Sequence, residues 1–579
     1  EQYICAFYTG AETDAKDFRN ILSATLPRYM VPHSFTHLES LPMTVSGKLD
    51  RKALPEIGLE NTSTDTGYVA PSTEKEKALI SALSTVLGVE KVSMLDNFFN
   101  IGGDSINAIY LVSELEDMNY SLQVADIMQS DTLKDIADAM ISTADIDNYD
   151  QNEINDLIPF TPIMRAYLKE RKTIAKDFVH TCVLSTYCNE ELIKQALDIL
   201  TSHHDILRGV FIENGIGILS SGERKPYTFQ TISIDNEDEA IEKLRKTNLD
   251  DKLIKVVFCK TKKEHLLCIT VHHFLIDWVS WEILMKDFTV VVKQLISGKP
   301  TVLSAKSASF KLWNDELNKY SKIQENKAYW DSVNAKLNNV KSLNAQEDEN
   351  EAEEFSFTFD KDISSKLINE VNKKYGTRIN EVLVAAIGLA AGKLAGGPVG
   401  IMVESHGRAP LPKQVSLEHT IGWFTACYPV MVNNSKNIAE EIINTKDTLR
   451  KTPRYGVEYL LFSDGFHNNT DIIFNFYRNI ISNDNRENKL RAFDGNSVFP
   501  GKINVTCLVS DDILSVGITV PKCKHKPNIS EELGLEFVKQ IERIVDFCTA
   551  TGTVVKTRSD FSDDTLTQSE LDELNNLFD

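Results

Sequence analysis

Ser105 closes the string Asp96-Asn-Phe-Phe-Asn-Ile-Gly-Gly-Asp-Ser105. Its two glycines permit a tight turn, and Asp104 can accept hydrogen bonds from the first free N–H groups of a helix. After it Ile106, Ile109, Tyr110, Val112 and Leu115 recur at helical spacing and run into the acidic Glu114-Leu-Glu-Asp117. A hydroxyl is thereby set at a helix N-terminus, where the positive end of the dipole favours a phosphate ester. The plain alternative is a capped helix start.

Three further constellations carry chemistry. Val271-His-His-Phe-Leu-Ile-Asp-Trp-Val-Ser-Trp281 ends an apolar strand. Adjacent strand residues project to opposite sides, so only one of His272 and His273 faces a given cavity. A two-histidine metal site wants convergent rings and is disfavoured, so no metal is expected. A core histidine with both nitrogens satisfied is the simpler reading of the pair. Asp277 is placed either to orient a ring or to hold the loop through an arginine. Val403-Glu-Ser-His-Gly-Arg408 also ends an apolar strand. There Glu404 is either paired with Arg408 or held with a raised pKa for proton transfer. Ile421-Gly-Trp-Phe-Thr-Ala-Cys-Tyr-Pro-Val430 offers Trp423, Thr425 and Tyr428 to a cleft lining or to an ordinary lobe interface.

The elements that must position these groups belong to a long acidic chain. Its 579 residues suggest three to five domains, and 42% hydrophobic with 25% charged residues is ordinary globular composition. A net charge of −22 argues against nucleic acid as a partner. Nine cysteines stand singly, several inside apolar runs such as Leu266-Leu-Cys-Ile-Thr-Val271, and read as buried thiols of a reducing compartment. No leader is visible at the start, and the longest charge-free apolar run, Val382 to Gly392, is too short for a bilayer. The expected location is cytoplasmic, with no membrane partner.

Four pieces follow from the pattern. Residues 1–57 open on a strand, Tyr3–Tyr8, continue with a helix around Phe18–Leu26, and read as part of a larger domain. After a polar linker, Thr73 and Glu76 form a capping box ahead of an apolar face of Leu79, Leu83, Val86 and Leu87. The Ser105 helix and helical segments at Val124–Met128 and Leu133–Ile141 complete a small bundle of four. Beyond a second acidic linker, strands (Val256–Lys260, His265–Val271, Gly400–Glu404, Thr470–Phe476) alternate with helices (Glu190–Ser202, Asn380–Leu394) on both sides of the acidic Gln346–Glu354 loop, which suggests two lobes. The last residues, 563–579, form a weakly amphipathic acidic helix suited to linking or docking.

Taken together, the constellations resemble a fragment of a nonribosomal peptide synthetase. From Pro159 to about residue 560 the chain is similar to an epimerization domain, a relative of condensation domains. The matching strings are Thr161-Pro-Ile-Met164, His203-His-Asp-Ile-Leu-Arg208, His272–Asp277 with Ser280-Trp281, Asn380-Glu-Val-Leu383, Glu404–Arg408, Gly422–Pro429 and Phe474-Asn475. Condensation domains share the His-His-x-x-x-Asp element but normally lack the Ser-Trp extension, the Glu-x-His-Gly-Arg string and the Gly-Trp-Phe-Thr string. Residues 68–142 resemble a peptidyl carrier domain. Residues 1–57 resemble the C-terminal subdomain of an adenylation domain, through Leu26–Pro32 and Ser46-Gly-Lys-Leu-Asp-Arg51.

The resemblance implies a multidomain α/β chain: a small α+β subdomain, a four-helix-bundle carrier, and a two-lobed chloramphenicol-acetyltransferase-like epimerization domain at 157–562, with lobes of about 157–340 and 355–562. It implies 4′-phosphopantetheine on Ser105 and an aminoacyl or peptidyl thioester as substrate. His273 and Glu404 would exchange the α-proton on opposite faces, with His273 also placed to stabilise the enolate oxygen. His272, Asp277, Ser280, Trp281, Arg408, Trp423, Thr425, Tyr428 and Asn475 would support them. Lys48 matches the adenylate-contacting lysine, without the core that gives it an active site. Implied partners are an upstream adenylation core, a phosphopantetheinyl transferase and a downstream condensation domain. Four departures stand out. Trp278 replaces the usual glycine, and Ala409 an acidic residue. Phe474-Asn-Phe-Tyr-Arg-Asn479 replaces Phe-Asn-Tyr-Leu-Gly-Gln, and Pro453–Tyr459 only partly keeps a glycine-rich string. A large ring at 278 could crowd the tunnel or tilt His273. The rival functions are a condensation-type amide-forming domain and a catalytically degenerate carrier and docking unit.

Overall fold

In this computed structural model the described residues are 5–10, 18, 34–38, 42, 69–89, 92–96, 98, 101, 107, 111–112, 114–115, 118, 120–122, 126–127, 130, 132–142, 149–262, 264–323, 326–343, 352–409, 411, 415–478, 488–496, 499, 501–510, 512–522 and 528–550. The chain divides into two compact units, Glu1–Asp145 and Ile146–Asp579.

In the first unit, strands β1 (Cys5–Tyr8) and β2 (Ser34–His37) pair in parallel. Helix α1 (Glu74–Leu87) starts at the expected capping box, with Thr73 accepting from the Glu76 N–H and Glu76 accepting from the Thr73 N–H. It ends at Gly88, which takes the left-handed conformation and returns its N–H to Ser84. Leu79 and Leu83 are fully buried with Phe98, Leu111, Leu115 and Ile127, one apolar core shared by the helical segments. Helix α2 (Leu133–Ala139) is shorter than its periodicity suggests. Met140 turns to extended geometry, and Ile141 pairs with Ser121 in a short ladder that takes up the backbone groups a longer helix would have used.

The second unit is built on two sheets. Beside a small three-stranded sheet of Leu157–Pro159, Gly209–Ile212 and Gly215–Ile218, the strands of these two sheets begin with β3 (Val179–Thr186), β4 (Tyr227–Ser233), β5 (Ile254–Lys260) and β6 (His265–His272). They continue with β7 (Ala352–Thr358), β8 (Val399–Ser405), β9 (Ala426–Val432) and β10 (Thr470–Arg478), then β11 (Asn488–Asn496), β12 (Ile503–Ser510) and β13 (Ile513–Pro521). The first sheet has the order β11-β3-β6-β5-β4 and the second β7-β13-β12-β10-β8-β9. Every residue of β3 is buried, as for a strand covered on both faces. Helices α3 (Glu190–His203) and α4 (Trp278–Ile296) pack together in the first lobe. In the second, α5 (Ile379–Ala395) is apolar nearly all round and packs against α6 (Ile529–Thr549).

The strands and helices expected from periodicity between 190 and 476 are present. Among the described strands, one crosses the expected division into lobes at 157–340 and 355–562. Between the neighbouring strands β10 and β12 the chain leaves the second sheet and lays β11 antiparallel on β3. Without β11, β3 would be an edge with a row of unpaired N–H and C=O groups. The seven described cysteines beyond residue 180 are thiols outside any disulfide and are buried, as expected.

One packing detail reverses a local preference. Glycine inside a helix is normally less stable than alanine by about 1 kcal/mol, yet a Cβ on Gly388 of α5 would overlap the branched side chain of Val432 on β9. Gly388→Ala is therefore expected to destabilise the protein by about 1–3 kcal/mol, read as a lowered Tm. A raised Tm would contradict this close approach of α5 to β9.

Candidate active site

Strand β6 ends at His272, and His273 opens a short 3-10 turn, so the two rings part company as strand alternation requires. His272 Nε2 lies 3.1 Å from the Ala175 carbonyl, and its Nδ1 accepts from the Phe274 N–H. Both nitrogens are committed, and the ring borders a cavity of about 320 Å3 lined by Phe211, Leu253 and Lys252. His273 is different. Its Nδ1 lies 2.7 Å from the Ile276 carbonyl, which can only accept, so Nδ1 carries the proton and Nε2 keeps its lone pair. The ring is boxed by Trp423, Phe178 and His180 at centroid distances of 4.6, 4.9 and 4.0 Å. Burial in that box pushes its imidazole down to about 4, so it is neutral at pH 7.

Asp277 does not orient the ring. It holds the loops. One carboxylate oxygen caps α4 through the Ser280 N–H and faces Arg408 Nη2 at 3.4 Å, and the other accepts from the Phe424 N–H. Arg408 also donates to the Ser280 hydroxyl and, through Nη1, to the carbonyls of Leu417 and Thr420, with its guanidinium 4.0 Å from the Phe424 ring centre. The Ser280 hydroxyl in turn donates to the Gly422 carbonyl and accepts from the Gly422 N–H. One charge pair thus joins the strings around residues 277, 408 and 422. Gly407 is required in it: its φ is +67°, and a Cβ would overlap the Phe424 carbonyl oxygen.

Because Arg408 is engaged by Asp277, the expected alternative of a Glu404–Arg408 pair does not form. Glu404 instead accepts from the Asn475 Nδ2, and the surrounding protein pushes its carboxyl up to about 8. It is therefore protonated at pH 7. In register, Glu404 lies opposite Cys427 on β9, and Val403 opposite Tyr428. Tyr428 consequently projects from the other face of the sheet, toward Trp330 and Gly456, and does not meet Glu404. Thr425 borders a small cavity with Phe424 and Leu460.

Trp278 finds its ring partners in Tyr477 and Phe493. Its indole stacks on Tyr477, with centroids 3.9 Å apart and planes at 24°, and meets Phe493 edge-on at 5.1 Å. Phe493 lies on the crossing strand β11 and also touches His180. Contacts therefore run without a break from His273 through His180, Phe493, Trp278, Tyr477 and Asn475 to Glu404. His180, Phe493 and Tyr477 escaped the sequence reading. A period-two reading of Asn475-Phe-Tyr477 would have put Tyr477 beside Asn475; a lone histidine in an apolar strand carries no such signal. Trp281 donates from Nε1 to His180 Nδ1 at 3.3 Å, so the proton of neutral His180 sits on Nε2. Among the described residues that Nε2 and the Trp423 Nε1 are buried without a hydrogen-bond partner. Ser105, Lys48 and the segment 563–579 lie outside the described residues.

With this geometry in view, comparison with known proteins is direct. The family described as "Condensation domain" matches residues 166–504, more than half of the chain. The chain belongs to the condensation-domain family. Ahead of that domain, a phosphopantetheine attachment site matches residues 77–140. This is a carrier followed by a condensation-type domain, the order found in nonribosomal peptide synthetases, and 4′-phosphopantetheine is the carrier's covalent group. Phe98 and Leu111 are both fully buried in the carrier core.

The curated relatives include bacitracin synthase 2 of Bacillus licheniformis, 29% identical over 100% of this chain and 24% of its own length. Another is tyrocidine synthase 1 of Brevibacillus parabrevis, 29% identical over 99% of this chain and 57% of its own. The chain thus spans a quarter to somewhat over half of these relatives. In fold, the condensation-type domain is similar to the epimerization domain from the third module of tyrocidine synthetase B (TM-score 0.61, 22% identity, 69% of this chain and 100% of that one). It is also similar to the condensation domain of the monacolin K polyketide synthase (TM-score 0.56, 15% identity, 69% and 99%). Among the described residues no cluster of His, Cys, Asp and Glu could hold a metal ion, and no helix is long and apolar enough to cross a membrane.

The Asp277–Arg408 charge pair is buried, so losing one partner is expected to cost stability. In Asp277→Asn the buried guanidinium of Arg408 loses its counter-charge. Denaturant unfolding is expected to show a loss of about 3 kcal/mol; a loss within error would show that the pair does not hold the loops.

Proposed function

We propose that the condensation-type domain is an epimerase acting on the α-carbon of an L-aminoacyl or L-peptidyl thioester presented by the chain's own carrier. The observation that carries this reading is the opposite displacement of one carboxyl and one imidazole joined by one wall of contacts: Glu404 raised to about 8 and His273 lowered to about 4. At neutral pH one is a proton donor and the other a proton acceptor, as α-proton exchange requires.

In this reading Ser105 carries the phosphopantetheine arm, which supplies a thioester whose carbonyl acidifies the neighbouring α-carbon. His273 Nε2 takes the α-proton, and the C–H electron pair is left on the carbon and spread onto the carbonyl oxygen. Glu404 delivers its proton to the opposite face, giving the inverted configuration, an imidazolium and a carboxylate; proton exchange with water restores both. His180 Nε2–H and Trp423 Nε1–H, the two buried donors without acceptors beside His273, suit the charge that develops on the substrate's carbonyl oxygen. Asp277, Ser280 and Arg408 hold the loops, Trp281 fixes the tautomer of His180, and Asn475 orients Glu404.

Around this centre we assign residues 1–57 to the C-terminal subdomain of an adenylation domain, 68–142 to the carrier, 157–562 to the epimerase and 563–579 to a linker or docking helix. The natural partners are then an adenylation core, a phosphopantetheinyl transferase that modifies Ser105, and a condensation domain that accepts the D-configured residue, all in the cytoplasm.

The test is α-proton exchange. Ser105 is charged with arms bearing L-amino acids or short peptides, the protein is incubated in deuterated buffer, and deuterium and chirality are read after thioester cleavage. Deuterium with a mixed L/D product is expected, reduced about 10²–10⁴-fold in His273→Ala and in Glu404→Ala. Full loading with undeuterated L-product across the panel sinks the reading, and peptide-bond formation with a second carrier would replace it by amide formation.

The pH profile follows from the same two groups. Catalysis needs His273 unprotonated and Glu404 protonated. The exchange rate should rise as pH passes about 4, hold a plateau, and fall as pH passes about 8. Glu404→Gln should erase the alkaline limb; a limb that survives there belongs to another group.

A further inference from the structure

Arg408 is taken by Asp277, which leaves Glu404 with Asn475 as its hydrogen-bond partner among the described residues. The orientation of the carboxyl therefore depends on what fixes Asn475. The same Nδ2 that donates to Glu404 also donates to the Tyr477 hydroxyl. A carboxamide nitrogen carries two N–H groups, so both are used and the amide plane is set. Asn475 and Tyr477 are two apart on β10 and share a face of the sheet. Tyr477 is in turn covered by the Trp278 indole at 3.9 Å, and Phe493 closes the indole's edge at 5.1 Å.

We propose that Trp278 is a positioning residue for Glu404, acting through Tyr477 and Asn475. The two departures noted in the sequence then form one device. With the order Asn-Tyr, the phenol would leave the opposite face of the strand. With Asn475-Phe-Tyr477 it reaches the Asn475 face, and an aromatic ring at 278, where glycine offers none, holds it there. The large ring after Asp277 orients the proton donor and is no sign of a degenerate site. The inference rests on the reading of Glu404 as an acid–base group in epimerization.

Its test separates proton exchange from inversion. Holo-protein charged with the L- or the D-isomer is incubated in deuterated buffer, and deuterium uptake with retained configuration is compared with uptake accompanied by inversion. Both isomers are used, so the partition is read whichever face Glu404 serves. In Trp278→Ala, inversion should fall about 10-fold relative to exchange with retention from the isomer that His273 deprotonates, because a misplaced carboxyl fails to complete the second half of the transfer. Trp278→Phe keeps a ring that can stack and should stay within about 3-fold of the native partition. Tyr477→Leu should match Trp278→Ala, and the double variant should add nothing further. An unchanged partition in Trp278→Ala, an equal loss in Trp278→Phe, or additive effects would overturn the proposal while leaving the epimerase reading intact.

If the native protein exchanges no α-proton, the epimerase reading falls instead, and the relay is read directly. In protein labelled with 5-fluorotryptophan, the 19F signal absent from Trp278→Phe is that of Trp278. Its displacement in both Tyr477→Leu and Asn475→Ala supports a coupled relay; an unmoved signal in Asn475→Ala overturns it.

Discussion

The ion pair between Arg408 and Asp277 is the interaction on which the site depends. Both side chains are almost wholly buried, and neither charge would be tolerated there without the other and the surrounding hydrogen bonds. The guanidinium offers five donors in a rigid plane. Its Nη1 and Nη2 groups spend theirs on Asp277, the Ser280 hydroxyl and two loop carbonyls. Because those partners come from two other segments, residues 277–280 and 417–420, one residue sets the mutual position of the His273 turn, the end of β8 and the approach to β9. Engaging Arg408 also withdraws it from Glu404, which is why the carboxyl can stay protonated at neutral pH.

The second constraint is desolvation acting in opposite directions on two groups. Burial disfavours the charged form of each, lowering His273 and raising Glu404. A single physical cause thereby yields a neutral imidazole and a neutral carboxyl. Hydrogen bonding refines the result. The Ile276 carbonyl fixes the proton of His273 on Nδ1, and the Trp281 indole fixes that of His180 on Nε2. The neighbouring His272 has the same side chain and no comparable freedom, since both its nitrogens are bonded.

The crossing strand β11 joins the lobes mechanically and chemically. By pairing with β3 it removes an exposed edge from the first sheet. Its Phe493 also fills the space between His180 and Trp278. The wall between the two titrating groups is thus made by residues from both lobes, and it depends on the excursion of the chain between β10 and β12.

Much was legible in the amino-acid order alone. Local spacing determined the capped helix α1, the strands ending at His272 and Glu404 and the long apolar helix α5, while the resemblance carried by contiguous strings singled out His273 and Glu404. These follow from period-two and period-3.6 patterning and from strings that are contiguous in sequence. Only the tertiary structure decided between Arg408 and Asn475 as the partner of Glu404, sent Tyr428 to the far face of its sheet, brought His180 against His273, and laid β11 across into the other lobe. It also stacked Trp278 on Tyr477 and set it edge-on to Phe493. The reason is that each of these depends on contacts between residues far apart in the chain, whose register is set by packing and by the burial of charge, and no local pattern records which distant partner a side chain will meet.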